Sequence, residues 1–454
     1  MAGTKPNILV RILKSYVRII HNYLFYRRFV TIGRKNLPPK GTPTIVACNH
    51  QNCMNDPLGI VFALDRHAKF YTRADIFSKP RRAKMLRAIG LLPAYRLGWD
   101  GGMDAVKNNE KSWNEGEQEL NNGQTIVIFP EGMHQVRHWL GDFSFGYTKM
   151  AFEAAQMSGF EKEIFIQPAA NHYKNYWHMQ SDLAIIFGEP LSIAPYYELY
   201  KTKPRTAQRE VNKIIHQRIS DLMLDIRDTE NYDEIDFIRK TYGKRFAVAN
   251  SLNPNKIEQK LEADKRLVAT LAEAQAAEPE RVTKLYSEVK DYSAKIASLN
   301  LRDWVFEKQP TLPGTLCETI VMIILLPLFA AALVPNILIY LAPNLITPKL
   351  KDKMFKASIY LGVSLITIPL AYLLTIIFDI FLTKSVFLTI IHVILLPFLG
   401  LFAWYYRKNF IKLKAKFKYQ NSKKLRKNAE IAPQRQNIWN ELDNLLVKQR
   451  YSDN

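Results

Sequence analysis

Hydrophobic and polar positions follow four successive patterns along the chain. From residue 7 to 31, Ile8, Leu9, Ile12, Leu13, Tyr16, Ile19, Ile20, Tyr23 and Leu24 recur at helical spacing, with Arg11, Lys14, Arg18, Arg27 and Arg28 between them. The spacing predicts a basic amphipathic helix, suited to a membrane interface or to packing on the adjoining domain. From residue 32 to about 200 the pattern becomes short apolar runs ending in polar turns. Thr44–Cys48, Ala68–Tyr71, Thr125–Phe129, Ile164–Gln167 and Ala184–Phe187 read as strands, and Ala83–Ile89 and Lys149–Gln156 as helices between them. Such alternation predicts an α/β domain with a mixed, largely buried sheet flanked by helices.

Residues 205–310 are polar and helical. Val211, Ile214, Ile215, Ile219, Leu222 and Met223 mark one apolar face. Two further helices carry Ile257, Leu261, Val268 and Leu271, then Val282, Leu285, Val289, Tyr292 and Ile296, with Pro279 as a natural first-turn residue between them. This reads as a helical appendage that braces the preceding domain or binds a partner.

Residues 311–406 read as a membrane region. Ala357–Phe378 and Ser385–Tyr406 are each uncharged and 22 residues long. Each matches the roughly 20 residues that cross a ~30 Å hydrocarbon layer. Joined only by Asp379–Lys384, they predict a transmembrane hairpin. Thr319–Pro348 is also uncharged but holds Pro327, Pro335, Pro343 and Pro348. Lys349, Lys351, Lys353 and Lys356 follow it, and ten Lys or Arg with no acid lie in Arg407–Lys427. The positive-inside rule assigns both basic stretches to the cytoplasm. The expectation for 319–348 is therefore a proline-broken re-entrant or interfacial pair of short helices that returns to the cytoplasmic side. Residues 407–454 read as a basic amphipathic tail along anionic headgroups, ending in an amphipathic helix over Asn437–Arg450.

The charge now acquires a partner. Across 454 residues, 63 basic and 42 acidic side chains leave a formal charge of +21. An anionic partner is implied, and the apolar segments favour a membrane surface over nucleic acid. The three cysteines, Cys48, Cys53 and Cys317, have no paired spacing, which fits a reducing compartment. Arg11, Lys14 and Arg18 interrupt any apolar core of a signal peptide, so membrane targeting is expected from internal segments.

Four short blocks carry candidate chemistry. In Ala47–Pro57 a strand ends at Cys48, His50 sits in the turn, and Asp56 opens a helix with Pro57 in its first turn. A carboxylate on one ring nitrogen would fix the tautomer and leave the other nitrogen to take a proton from a hydroxyl. The plainer reading is Asp56 as an ordinary helix N-cap. Phe129-Pro-Glu-Gly132 puts Glu131 at the carboxyl end of a strand, where open α/β sheets bind ligands. Gly90–Arg96 is an apolar turn that delivers Arg96, whose planar guanidinium suits a phosphate monoester. Ile164–Ala170, with Pro168, lines an acyl-chain groove or is plain core.

In this order and spacing, the blocks resemble the glycerolipid acyltransferase family, which includes 1-acylglycerol-3-phosphate and glycerol-3-phosphate acyltransferases. Phe187-Gly-Glu-Pro190 resembles the strand end that closes that domain, and the resemblance covers about residues 30–200. It implies a catalytic domain over 32–204, after an amphipathic segment at 1–31. It implies His50 as general base with Asp56 as its partner and Arg96 on the acceptor's phosphate. Glu131 and Gly132 would shape the acceptor site, Pro168 would belong to the fourth block, and Arg73 would be a weaker second phosphate ligand. Two departures stand out. Five residues separate His50 from Asp56 where the family usually has four, and Met-His-Gln follows Gly132 where Thr-Arg-Ser is common.

The resemblance implies transfer of an acyl chain from acyl-CoA or acyl-carrier protein to 1-acyl-sn-glycerol-3-phosphate, giving phosphatidic acid, with no metal or further cofactor. Glycerol-3-phosphate, another lysolipid or an aminolipid are alternative acceptors, and a catalytically silent membrane tether is an alternative of another class. The expected location is an integral membrane protein with its catalytic domain on the cytoplasmic face, in the inner membrane if bacterial. Two rival chemistries come from single residues: a covalent route through Cys53, and a metal on His134 and His138, which have i, i+4 spacing but no third ligand within sequence reach.

Overall fold

The computed structural model describes residues 8–95, 103–133, 136–350, 352–424 and 429–446. The chain divides into two units, one formed by residues up to 225 with 343–365, the other by 226–342 with 366–454.

The first unit is built on strands β1 (Tyr26–Ile32), β2 (Thr44–Cys48), β3 (Ala68–Arg73), β4 (Leu91–Ala94), β5 (Thr125–Ile128), β6 (Phe165–Tyr173), β7 (Ser181–Phe187) and β8 (Leu191–Ser192). They form a mixed sheet in the order β1-β7-β6-β2-β5-β3-β4, with β8 on β6. From β6 to β4 the strands run parallel, β7 is antiparallel to β6, and β1 is parallel to β7. β2, β5 and β7 are buried along their whole length, as near-continuous Val, Ile and Ala runs require in a sheet covered on both faces.

Helices α1 (Ile8–Ile19), α2 (Asn55–Ala63), α3 (Pro80–Ala88), α4 (Met103–Asn121), α5 (Gly146–Met157), α6 (Tyr197–Thr202) and α7 (Pro204–Leu222) complete this part of the unit. Pro168 sits inside β6 without harm. On that edge β6 pairs with β8 through Phe165 and Ile166 and with β7 from Ala169 onward, so the residue without an N–H falls where the partner changes.

Three expectations are corrected here. The amphipathic helix does not continue to residue 31: it ends through a π-helical turn, Ile20–Phe25, and β1 follows. Phe29, Val30, Thr31 and Ile32 are strand formers with a partner, β7. A register shift between Tyr26 and Arg28 lets both Arg27 and Arg28 reach the buried Asp182 carboxylate, at 2.7 and 2.6 Å. Second, β4 occupies part of what reads as a turn before Arg96, since Leu91–Ala94 pairs with Phe70–Arg73. Third, α7 belongs to this unit: Val211, Ile215 and Ile219 are fully buried, and Arg218 donates to the carbonyls of Glu189 and Pro190. The boundary thus falls at 225, not 204.

The second unit contains α8 (Tyr232–Thr241), α9 (Gly243–Ala249), α10 (Ile257–Ala277), α11 (Pro279–Ser298) and α12 (Trp304–Lys308). The long helices α13 (Leu312–Ile346), α14 (Lys356–Thr383) and α15 (Val386–Lys424) follow, then α16 (Ile431–Leu446). Three helical stretches, Leu312–Lys349, Lys353–Thr383 and Val386–Lys424, are long and apolar enough to cross a membrane.

Two more expectations change. Residues 319–348 are not two short helices. α13 runs unbroken for 35 residues, about 52 Å at 1.5 Å per residue, with Pro327, Pro335 and Pro343 inside it. Apolar helices tolerate interior prolines where neighbours re-satisfy the released carbonyls. Nor do residues 407–454 form a separate tail. α15 continues without a break from its uncharged half into its basic half, where Tyr406 donates to the Met322 carbonyl and Gln420 to Thr315 Oγ1. α16 packs among the appendage helices: Trp439 is buried against Tyr242 and Tyr292, Arg435 pairs with Asp303, and Asp443 accepts from Tyr242.

Candidate active site

β2 ends at Cys48 and the chain turns at once, carrying His50 beyond the carboxyl edge of the sheet. Within the turn Cys53 has a φ of 41°, left-handed and rare for a residue with a side chain. Asn55 N–H then donates to Asn52 O at 2.8 Å, and α2 begins.

Asp56 lies within the first turn of α2, and it does not act as the N-cap; that position is held by Met54. Its carboxylate faces back into the turn, fully buried. Oδ2 accepts from His50 Nδ1, Gln51 N and Asn52 N, each at 2.7 Å, and Oδ1 accepts from Tyr173 Oη on β6 at 2.6 Å. Four donors on one carboxylate offset the cost of burying its charge. Because Nδ1 carries the proton donated to Asp56, Nε2 is the basic nitrogen in the neutral ring. The ring stacks on Phe129 at 4.5 Å between centroids and keeps 19% of its side chain exposed.

β5 is adjacent to β2 in register, Ala47 opposite Ile128, so Glu131 emerges beside His50. Its oxygens are engaged by main chain: Oε1 accepts from His50 N at 2.7 Å and Oε2 from Gly141 N at 2.9 Å. Burial pushes this carboxyl up to about 7, against the lowering effect of those two hydrogen bonds. Glu131 therefore anchors the turn that bears His50 to the loop at 141. Gly132 closes the Phe129–Gly132 turn with φ 70°, a conformation glycine takes without strain.

The remaining residues named from sequence fare differently. Arg73 stands at the carboxyl end of β3, on the same edge as His50, with its guanidinium on Asp75 at 2.6 Å. Arg96 and His134 lie outside the described residues. His138 is buried and hydrogen-bonds Tyr176 Oη at 2.9 Å. Among the described residues, no three His, Cys, Asp or Glu side chains are grouped as a metal site requires. The groove reading of the fourth block is corrected: Ile164, Ile166, Ala169 and Ala170 are all fully buried, so that strand is sheet core. Cys53 is a poor nucleophile, since burial, with Asp56 and Asp352 nearby, pushes its thiol up to about 12.

Two supporting residues, Asn171 and Tyr173, escape a reading of short blocks. Tyr173 holds Asp56 from β6. Asn171 and Asn49 bridge β6 to the start of the turn, Asn171 N donating to Asn49 Oδ1 at 2.7 Å and Asn49 Nδ2 to Asn171 O at 3.2 Å. Only the polar character of Asn171 and Tyr173 at the end of an apolar strand marks them in the sequence.

An imidazole clamped by a buried carboxylate, beyond the carboxyl ends of a largely parallel sheet, has the chemistry to take a proton from a hydroxyl and return it. Residues 28–171 match the family model described as Acyltransferase. Among solved structures it is similar to the crystal structure of the 1-acyl-sn-glycerophosphate (LPA) acyltransferase PlsC from Thermotoga maritima. That likeness has 16% identity and a TM-score of 0.35, over 47% of this chain and 79% of that one. No curated protein sequence matches the chain.

Proposed function

We propose that the protein transfers a fatty acyl chain from acyl-CoA or acyl-carrier protein to the free hydroxyl of 1-acyl-sn-glycerol-3-phosphate, giving phosphatidic acid at a membrane. The observation that carries this reading is the 2.7 Å contact of His50 Nδ1 with a fully buried Asp56, inside the residues that match the Acyltransferase family model. In the proposed reaction His50 Nε2 takes the hydroxyl proton as the oxygen attacks the thioester carbonyl. A C–O bond forms, and Asp56 stabilises the imidazolium. Collapse of the tetrahedral adduct breaks the C–S bond, and the imidazolium returns the proton to the departing thiolate. Alignment of the two substrates supplies much of the acceleration.

Three helices of membrane-crossing length support an acceptor that keeps its own chain in lipid while its headgroup reaches the sheet edge. Arg96, with Arg73 as a weaker second, is the proposed ligand of the acceptor's phosphate. Glu131 and Gly132 act by holding the turns around it. The longer His50–Asp56 spacing, which gave the tether reading its ground, leaves the pair in contact. Purified full-length protein in nanodiscs, offered acyl-CoA and acyl-carrier protein with a panel of lysophosphatidic acid, glycerol-3-phosphate and other lysolipids, tests the proposal. Fastest turnover with lysophosphatidic acid is expected. Preference for glycerol-3-phosphate would move the assignment to that acceptor, and no transfer with any pair would restore the tether.

A further inference from the structure

The catalytic turn has a support that lies far away in sequence. Residues 343–365 belong to the first unit, and the opening turns of α14 reach the loop between His50 and Asp56. Ser358, almost fully buried, accepts from Met54 N at 3.0 Å and donates to Asn52 O at 3.4 Å. Cys53 Sγ points to the Met354 carbonyl at 3.8 Å. Gly362, one helical turn on, faces the Met54 side chain, where an added methyl would stand 3.5 Å from Cε. Tyr16 Oη of α1 donates to Leu365 O at 2.7 Å, and Tyr360 Oη bonds Asn344, so this stretch of helix is fixed at several points.

The two backbone groups that Ser358 holds flank left-handed Cys53, where the turn departs most from ordinary backbone. The same turn presents the N–H groups of Gln51 and Asn52 to Asp56. We infer that Ser358 is a positioning residue for the His50–Asp56 pair: one hydroxyl on an apolar helix of membrane-crossing length pins the turn in the geometry that joins ring to carboxylate. The inference rests on the proposed role of His50 as base. It also puts a part of the catalytic apparatus on a helix some 300 residues downstream of it, so that the seating of that helix and the alignment of the dyad are linked.

Ser358→Ala, assayed as the full chain in nanodiscs, tests it. The expected result is a fall in kcat of about tenfold, with KM for donor and acceptor within about twofold. Ser358→Thr, which keeps the hydroxyl, should recover most of kcat. If Ser358→Ala fails to fold, Ser358→Cys preserves the volume with a weaker acceptor and should give an intermediate kcat with the same KM values. A variant that lost thermal stability in proportion to activity, with KM rising as kcat fell, would show a merely structural role and overturn the inference, as would unchanged kcat. His50→Ala run alongside separates the two levels. If it is inactive while Ser358→Ala is fully active, only the inference falls; if it is fully active, both fall.

Discussion

At the scale of single residues, the site depends on where a few oxygens face. Asp56 is expected to behave differently under two substitutions. Asp56→Asn, with its oxygen in the place of Oδ2, still accepts from the Gln51 and Asn52 N–H groups and from His50 Nδ1, but it carries no charge to support the imidazolium. It should lower kcat by about 10²–10⁴ with a modest change in melting temperature, read by steady-state kinetics and calorimetry on the same sample. Asp56→Ala also strips the acceptor from three buried donors and from the ring, so it should lose several kcal/mol of stability as well, at about 1–3 kcal/mol per orphaned group. Glu131 gives a pH test. Its carboxyl sits at about 7 in the folded protein against 4.5 ordinarily, so the fold favours the protonated form. That contribution is fully present below pH 4.5 and is lost as pH rises through 7, a decline of roughly 3 kcal/mol. Glu131→Gln cannot titrate, so thermal unfolding should show wild-type stability falling towards the variant's between pH 4.5 and 7. Parallel pH curves for the two would rule out this titration. Cys53→Gly should relieve the left-handed backbone and keep full activity; a complete loss of transfer would revive the covalent route.

At the scale of elements, the periodicity in the chain made much of the sheet readable. Thr44–Cys48 is a strand as its unbroken apolar run implies, and Thr125–Ile128 lies beside it, one residue shorter than expected. What stayed hidden were elements whose identity depends on a distant partner. Tyr26–Ile32 continues the helical spacing of the preceding residues and becomes a strand only because β7 supplies a parallel edge 155 positions later at Asp182. Leu91–Ala94 is too short to signal itself and takes its state from β3. The π-helical turn at Ile20–Phe25, which shifts the helix out of phase just before β1, has no local signature. The contact of His50 with Asp56 was foreseeable as a possibility of the turn. The left-handed backbone at Cys53 was not, because a positive φ at cysteine runs against that residue's usual preference and is held by the surroundings.

At the scale of the whole molecule, two lines of reasoning from sequence met differently with the structure. The count of uncharged residues located the long apolar helices, but proline content misjudged α13, since prolines weaken a helix in water far more than one whose neighbours are apolar. Residues 343–365 nonetheless return to the unit that holds the sheet. With Cys317 replaced by Ser, single cysteines at Lys349 and Lys79 should react with a membrane-impermeant thiol reagent from one face of sealed vesicles, and one at Lys384 from the opposite face. Labelling of Lys349 and Lys79 from different faces would disprove that topology.

The unbroken course of α15 makes it a ruler laid against α13. Tyr406 is matched to Met322 at one mark, Lys416 to Glu318 at the next and Gln420 to Thr315 beyond. A single residue inserted near Asn409 would turn everything after it by about 100° and advance it by about 1.5 Å. Adding a whole number of turns would restore the angle but slide every later mark past its neighbour. No insertion mends both errors, so the length of this helix should tolerate far less drift than the loops around it.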